Sequence, residues 1–458
     1  MNLSPESVKK TLLNKVNELS ASSWQYTKKP TDFTRNRKIS FSDVLLSTIS
    51  MQKSASKTEL LKYFDFNASA PTASALIQQR KKISPEAFDS LFYSFSNAFF
   101  LDKTLKGYDP IAVDGSDIYI PRNPKDPDTY RVTDRYNKGF NMIHLNAAYN
   151  LLSHLYTDVI LQPLNHINEY IAMCDIIDHY TATNPTRKPL FIADRGFVSF
   201  NVFAHAIENN AYFLVRARES NPRSMLATIK LPDSPEYDII FERWLTRKNT
   251  KTVKAEPEVY KTIANRTFDY LDPKSKNLYY ISFRIVSFVL PNGNTEVVYT
   301  NLPKEDFSTE ELRELYNMRW GIETSFRDIK YAAGLLFFHS RKKDLVIQEI
   351  YAKLILYNFC ELITGAIVVE KKERKYSYRI NFSIAIAICT EFLRRSCASP
   401  PIDVIALIGR ELIAVRPDKA QSPLLKSKDC NYIPIPIKYS YLDIFSVGRF
   451  PNLSVCRA

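Results

Sequence analysis

The chain has 458 residues, with 62 lysines and arginines against 49 aspartates and glutamates, so its formal net charge is +13. This length allows roughly two to four domains with at least one large core. Its six cysteines include no CxxC pair and no nearby histidine at zinc spacing, which argues against a zinc module and predicts reduced thiols in a cytosolic protein. The N-terminus lacks the apolar core of a signal peptide, and no glycine-rich phosphate loop supports nucleotide-driven chemistry.

The positive charge is concentrated toward both ends of the chain. Lysine and arginine exceed the acidic residues by 6 in residues 1–105 and by 8 in residues 340–458, whereas residues 106–339 have a net charge of −1. Basic flanks around a neutral centre favour a protein that binds DNA largely through its ends. The alternative is that the flanks only aid solubility.

Residues 1–105 have the periodicity of helices and predict an all-α DNA-binding domain. The segment KTELLKYF and the helix that opens at residues 69–71 could form a helix-turn-helix, which would expose Ser74, Gln78 and Lys81 on its second helix. Glutamine and lysine suit contacts with base edges and phosphates. The alternative is a basic surface helix in an ordinary helical bundle.

Strands dominate from residue 108 onwards, with helices interspersed, which predicts an α/β domain over residues 106–345. Within it, residues 219–303 predict a β-rich insertion that contains a hairpin turn at Asn292-Gly293. We expect a helical C-terminal region over residues 346–458, for DNA contact or dimerisation. Its most apolar stretch contains charged residues, so we expect a buried helix and no membrane span.

Two aspartates follow short apolar runs and precede glycine-containing turns. Asp114 lies in DPIAVDGSDIYI and Asp194 in RKPLFIADRGFVSF, so both are predicted at strand ends. Catalytic side chains in parallel or mixed sheets commonly occupy such positions. Taken singly, either aspartate could instead be a strand-end cap or a turn former.

A polar stripe follows in YNMRWGIETSFRDIK, on a helix that a capping box of Ser308 and Glu311 would open. Its members are spaced three, four and seven residues apart, which places them on one helix face. They are Tyr316, Arg319, Glu323 and Lys330. The alternative is a solvated amphipathic face with helpful ion pairs.

Together, Asp114, Asp194 and Glu323 form a possible three-carboxylate metal site. Mg²⁺ prefers oxygen ligands and retains several waters, so two or three carboxylates with a substrate phosphate suffice to bind it. Two such ions can stabilise the attacking and leaving oxygens of a phosphodiester. The six histidines show no spacing that groups them with these carboxylates, which predicts structural or surface roles.

The aspartate contexts and the stripe, which has the pattern Y-x2-R-x3-E-x6-K, resemble the DDE transposases of bacterial insertion sequences, specifically the insertion-sequence-four group. The resemblance covers roughly residues 105–345. It implies a ribonuclease-H-like catalytic domain, with Asp114 on the first strand and Asp194 just after the fourth. The long interval before Glu323 resembles family members that carry a β-rich insertion.

The resemblance also implies an activity and its partners. Asp114, Asp194 and Glu323 would be the catalytic residues and would hold two Mg²⁺ ions, for which Mn²⁺ could substitute. The substrates would be the double-stranded DNA of transposon ends and target, bound by a homodimer on paired ends in the bacterial cytoplasm, near the nucleoid. A catalytically inactive DNA-binding regulator and a stand-alone nuclease of the same fold are the alternatives.

The stripe and its neighbour Trp320 would contact that DNA. Tyr316, Arg319 and Lys330 can reach phosphates near the scissile bond. Relatives with this signature form a hairpin at the transposon ends and flip out a base, which calls for an aromatic stack. Trp320 and Trp244 are candidates, and the alternative for each is a core position.

Overall fold

The structure is a computed structural model in which the α-helices and strands form a mixed α/β protein with a large central sheet. It describes residues 4–99, 103–134, 136–217, 225, 229–263, 266–290, 293–367, 376–395 and 400–415.

Residues 4–99 are mainly helical, as their periodicity predicts. Local caps define several of the helix starts: the Ser4 hydroxyl accepts a hydrogen bond from Ser7 N, and Ser40 and Asp43 form a capping box. The helices are α1 (Pro5–Ala21), α2 (Phe41–Ser50), α3 (Ser56–Tyr63), α4 (Ala73–Arg80) and α5 (Glu86–Asn97).

The central sheet brings together strands from a long stretch of sequence. They are β1 (Asp109–Ile120), β2 (Tyr130–Thr133), β3 (Tyr136–Asn150), β4 (Tyr156–Pro163), β5 (Pro189–Ala193), β6 (Tyr212–Arg216), β7 (Tyr237–Thr246), β8 (Tyr260–Thr262), β9 (Leu278–Val289) and β10 (Thr295–Thr300). Their order is β2-β3-β1-β5-β6-β10-β9-β7-β8, and β4 also pairs with β3. β1 is antiparallel to β3 and parallel to β5, which in turn is parallel to β6. Asp194, expected just after the fourth strand, follows β5 instead, which is the fifth strand along the chain because β2 is a separate short strand.

The β-rich segment predicted as an insertion extends this same sheet. β10 pairs with β6, and β9 and β7 follow outward. The predicted hairpin joins β9 to β10, and Gly293 in its turn has a φ of +82°, a conformation that favours glycine. Asn292 lies outside the described residues.

Both faces of the sheet are covered, and successive residues of β1, which point to opposite faces, pack into two different cores. Ile111 and Val113 belong to a core with α6 (Glu169–Thr183) and α7 (Phe200–Glu208), whereas Ala112 belongs to a core with the N-terminal helices. The small helix α8 spans Lys251–Ala255.

Helix α11 (Lys343–Thr364) is buried and belongs to the same core as the N-terminal helices, with direct contacts to α1, α2 and α5. No described helix combines the length and apolarity that a membrane crossing requires. The Arg80 guanidinium is buried beside Glu349 of α11, with Nη1 2.9 Å from Oε1. The regions predicted as separate at the two ends of the chain therefore share one core.

The C-terminal region is mostly helical but also contains a two-stranded sheet. Helices α12 (Phe382–Arg394) and α13 (Val404–Arg410) accompany strands β11 (Ser377–Ile380) and β12 (Leu412–Val415). Residues 416–458, the end of this predicted region, lie outside the described residues.

Three cysteines lie in the described part of the chain, and all three are buried free thiols, namely Cys174, Cys360 and Cys389. Cys397, Cys430 and Cys456 lie outside it.

We expect Arg80→Met to lower the free energy of unfolding by about 3–5 kcal/mol, because it leaves the Glu349 carboxylate buried without its partner. Burial raises the pKa of Glu349, but Arg80 and His339 outweigh it and lower the pKa to about 2, so the group is ionised at neutral pH. Urea unfolding followed by circular dichroism measures the change. The control Lys15→Met breaks an exposed pair with Glu18 and should cost less than about 1 kcal/mol. Equal effects of both variants would contradict the expectation.

Candidate active site

Asp114 and Asp194 lie side by side at one edge of the sheet. Val113 of β1 is the register partner of Ala193 of β5, and the two strands are parallel, so the next residue of each chain segment is an aspartate. Asp194 follows the end of its strand, as predicted. Asp114 does not, because β1 continues to Ile120 through its pairing with β3. Asp114 instead lies within β1, one residue beyond the last residue that pairs with β5.

The Asp114 carboxyl is largely enclosed. Burial, together with the charges of Asp194 and Glu323, raises its pKa to about 7, although Arg319 opposes the shift. Its Oδ1 accepts a hydrogen bond from Gly115 N at 2.9 Å. The three predicted carboxylates are therefore close enough to act on one another's ionisation.

Asp194 caps the short 3₁₀ turn that follows β5. Its Oδ1 accepts a hydrogen bond from Gly196 N at 2.6 Å. A Cβ atom on Gly196 would stand 2.7 Å from that oxygen, which is closer than real contacts allow. The glycine of the ADRGF segment thus holds the carboxylate close to the backbone.

The predicted single helix of the stripe is divided in the structure. The Ser308–Glu311 capping box opens α9 (Thr309–Met318), and α10 (Trp320–Arg327) follows. The path stays right-handed between them, since Arg319 has φ −49° and ψ −34°. A π-helical turn over Asp328–Ala332 then widens the helix around Lys330.

The stripe faces the sheet, so its interpretation as a solvated surface is wrong. Tyr316 is 4% exposed and Arg319 is 5% exposed. Lys330 is half-buried and donates a hydrogen bond from Nζ to Ser116 Oγ at 2.7 Å, two residues beyond Asp114 on β1. Burial lowers the pKa of Lys330, and the nearby Asp117 and Asp114 oppose that shift.

Arg319 occupies the centre of the site. Its Nη2 donates to Glu323 Oε1 at 2.8 Å, and its Nη1 lies 3.9 Å from Asp114 Oδ2. The guanidinium carbon is 5.6 Å from the ring centre of Tyr316 and 4.9 Å from that of Trp320. Trp320 is half-buried in this contact. It is therefore neither a fully buried core residue nor a freely exposed stacking surface, the two roles considered from the sequence.

The three carboxylates suit a divalent metal in chemistry. They are hard oxygen donors, and the charges of Asp194 and Glu323 add to the burial that raises the pKa of Asp114. A divalent cation would offset those charges. Across the part of the chain that the structure describes, no three histidine, cysteine, aspartate or glutamate side chains are already arranged around a metal position. Arg319 donates a hydrogen bond to the Glu323 carboxylate, which is one reason why these chemically suitable carboxylates are not arranged around a metal position.

Sequence patterns gave no indication of a fourth carboxyl near the site. Glu296 at the start of β10 is 8% exposed and forms an ion pair with Arg216 of β6, whose Nε lies 3.2 Å from Oε1. Burial raises the pKa of Glu296, while Arg216 and Arg319 lower it. The register places Val215 beside Ala193, so Arg216 follows the same edge as Asp194. The nearness of Glu296 and Arg216 to the three carboxylates is visible only from the strand pairing.

His144 lies behind the site, on the opposite face of β1 from Asp114. Its Nδ1 is 2.7 Å from Asp117 Oδ1 and its Nε2 is 3.0 Å from Glu169 Oε1. A Cβ on Gly115 would collide with the imidazole. The histidine thus packs directly against the backbone next to Asp114, a role that its spacing in the sequence does not indicate.

The other predicted DNA contacts lie apart from the carboxylates. Ser74, Gln78 and Lys81 are exposed on or just after α4, as the helix-turn-helix hypothesis requires. Trp244 is 40% exposed on β7, with its ring centre 5.1 Å from that of Tyr280.

Residues 105–359, more than half of the chain, match the family model described as Transposase DDE domain. The chain belongs to this family. No curated protein matches it. Among solved structures, it is similar to a piggyBac transposase synaptic complex with hairpin DNA, studied by cryo-EM, at 10% identity. That likeness covers 94% of this chain and 91% of the other, with a TM-score of 0.44, which does not establish a shared fold.

We expect Gly196→Ala to reduce any DNA cleavage by the protein by about tenfold or more. The new methyl group would meet the end of the Asp194 side chain and displace its carboxylate, so stability should change by less than about 1 kcal/mol. Cleavage assays and thermal unfolding measure the two effects. Gly409→Ala, whose Cβ would meet only an ordinary contact at 3.8 Å, is the control. Full cleavage by Gly196→Ala would contradict the assigned position of Asp194.

The contribution of His144 to stability should depend on pH. Burial lowers its pKa, but hydrogen bonds to Asp117 and Glu169 outweigh this and raise it to about 9. Because the pKa of His144 is higher in the folded than in the unfolded protein, its protonated form stabilises the fold. This stabilisation is complete below the pKa of about 6.5 in the unfolded chain and is lost as the pH rises through about 9. Near pH 6 the free energy of unfolding of the wild type should exceed that of His144→Gln by roughly 1–2 kcal/mol. This figure allows for the solvent screening of Asp117 and Glu169, whose carboxylates are half-exposed.

Urea unfolding of wild type and His144→Gln between pH 6 and 10 measures this difference. A gap between the two proteins that does not narrow as the solution becomes alkaline would show that the imidazole is not held as a cation.

Proposed function

We propose that this protein is a transposase of the insertion-sequence-four group, which binds the terminal inverted repeats of its element and catalyses strand cleavage and strand transfer. Family membership supports transposase activity. The observation that carries the rest of the proposal is the convergence of Asp114, Asp194 and Glu323 on one sheet edge around Arg319. We assign the catalytic domain to residues 106–345 and its fold to the ribonuclease-H-like type.

Asp114, Asp194 and Glu323 would hold two Mg²⁺ ions, with Mn²⁺ as a substitute. When bound, the ions would lower the pKa of the attacking water or 3′ hydroxyl and stabilise charge on the departing 3′ oxygen. The protein contributes the closely spaced carboxylates on a partly buried edge of the sheet. Gly196 keeps the Asp194 oxygen fixed to the backbone.

Three stripe residues would bind the DNA phosphates. The Tyr316 hydroxyl and the Arg319 Nε are buried without a hydrogen-bond partner among the described residues, so both can donate to a phosphate oxygen. Lys330 Nζ, held by Ser116, supplies a positive charge at the same edge. Trp320 can extend this surface to a base or sugar.

The N-terminal helices would recognise the double-stranded repeat ends, with Ser74, Gln78 and Lys81 of the proposed helix-turn-helix facing the DNA. We further propose that a homodimer assembles on paired ends, in the bacterial cytoplasm at the nucleoid. The basic C-terminal region, residues 346–458, would add DNA contacts or a dimer surface.

We expect Glu323→Ala to abolish cleavage, by at least about a hundredfold, while binding to end DNA stays within about threefold of wild type. The reason is that the carboxylate would serve the metal site, whereas DNA affinity would come from basic residues elsewhere. The measurement combines the purified protein with the DNA that flanks its gene, in Mg²⁺ or EDTA.

Glu310→Ala is the matched control, since it removes an exposed carboxylate paired with Arg313 on α9. Metal-dependent cutting at inverted repeats followed by joining to target DNA supports the transposase. Cutting without joining favours a stand-alone nuclease, and binding without cutting favours an inactive regulator. Joint loss of binding and folding in Glu323→Ala would make Glu323 structural.

A further inference from the structure

The Arg319 guanidinium occupies the position of a counter-ion among the candidate metal ligands. It donates to Glu323 at 2.8 Å and approaches Asp114 to 3.9 Å, so its single positive charge lies beside two of the three carboxylates at once. Its side chain is only 6% exposed, whereas Glu323 is 25% exposed. The pair is therefore screened less by solvent than a surface salt bridge.

The aromatic residues on either side fix the guanidinium in this place. The ring centres of Tyr316 at the end of α9 and Trp320 at the start of α10 lie 5.6 Å and 4.9 Å from its carbon, and Glu323 is also on α10. The contact with Glu323 spans one helical turn, so it forms locally and needs no bound partner. The folded protein thus carries its own cation in the site.

A carboxylate oxygen that accepts a charged hydrogen bond is a weaker ligand for a metal ion. Mg²⁺ and Mn²⁺ need ligand oxygens placed around them in near-octahedral geometry, and a second cation at the same oxygens repels them. Across the described residues no ligand set is assembled, in agreement with Glu323 being turned to Arg319.

We propose that Arg319 competes with divalent metal for Glu323 and Asp114, and that the site accepts metal readily only when the guanidinium has another anion to bind. This inference rests on the proposed function, because it takes these carboxylates as the metal ligands. It assigns to Arg319 the regulation of metal binding, in addition to a contact with DNA phosphate.

Glu296 is a further anion within electrostatic range of this pair. Burial raises the pKa of Glu296 and Arg319 is among the charges that lower it, while burial and Glu296 both raise the pKa of Tyr316. Glu296 Oε1 is held in its ion pair with Arg216, 3.2 Å from Nε. The Tyr316 Oη and Arg319 Nε donors are buried without a hydrogen bond within the described chain, so both are available when a phosphate arrives.

Mn²⁺ binding to DNA-free protein tests the proposal without any measurement of activity. Free Mn²⁺ is quantified by electron paramagnetic resonance during titration of wild type and Arg319→Gln. We expect Arg319→Gln to bind Mn²⁺ about tenfold more tightly, and Mn²⁺ to raise its melting temperature more than that of wild type. Unchanged or weaker binding overturns the proposal.

Two further variants control for charge and packing. Arg313→Gln removes the same charge from the exposed face of α9, and its Mn²⁺ affinity should stay within about twofold of wild type. A tenfold gain there as well would reduce the effect to net charge and overturn the proposal. Arg319→Met keeps an apolar stem between Tyr316 and Trp320, so it gives the same test if the glutamine variant folds poorly.

Asp114→Asn separates this proposal from the proposed function. If wild type binds Mn²⁺, Asp114→Asn does not, and Arg319→Gln binds no better than wild type, only the competition is wrong. If Asp114→Asn binds Mn²⁺ as well as wild type, or no variant binds it, the carboxylates are not the metal ligands and both proposals fail.

Discussion

The parallel pairing of β1 with β5 determines where the chemistry of this protein lies. The register of Val113 with Ala193 brings together two aspartates that are far apart in the sequence, at the level where β5 ends. Helices α9 and α10 then close over this edge with the third carboxylate. A register shift of one residue would turn one aspartate into the opposite core, so sheet geometry and site geometry are the same constraint.

Charge balance is the second constraint, and it follows from the first. Three carboxylates on a poorly hydrated edge repel one another, and burial of Asp114 adds to the cost. A cation has to compensate them whenever they are ionised. Arg319 supplies one positive charge of that compensation in the free protein, and its position beside Glu323 makes this contribution part of the fold.

Local patterns indicated much of this arrangement, and long-range pairing explains what they missed. Apolar runs ending in Asp114 and Asp194, and the helical spacing through Glu323, depend on neighbouring residues and are visible in the sequence. The nearness of Glu296 and Arg216 depends on β10 pairing with β6, across a segment of variable length. The sequence also does not show that the β-rich segment extends the central sheet, because this depends on the same long-range pairing of β10 with β6. The π-helical turn at Lys330 also has no sequence pattern of its own.

The common core of α11 and the N-terminal helices has a consequence for how such a protein can diversify. Arg80 lies at the end of the candidate recognition helix, and its partner Glu349 lies in a helix that follows the site in sequence. The part of the chain proposed to read DNA is therefore not a detachable module. Exchange of this region between relatives would require matching changes in α11, so new end specificity should arise more easily by substitution at exposed positions such as Gln78 than by domain shuffling.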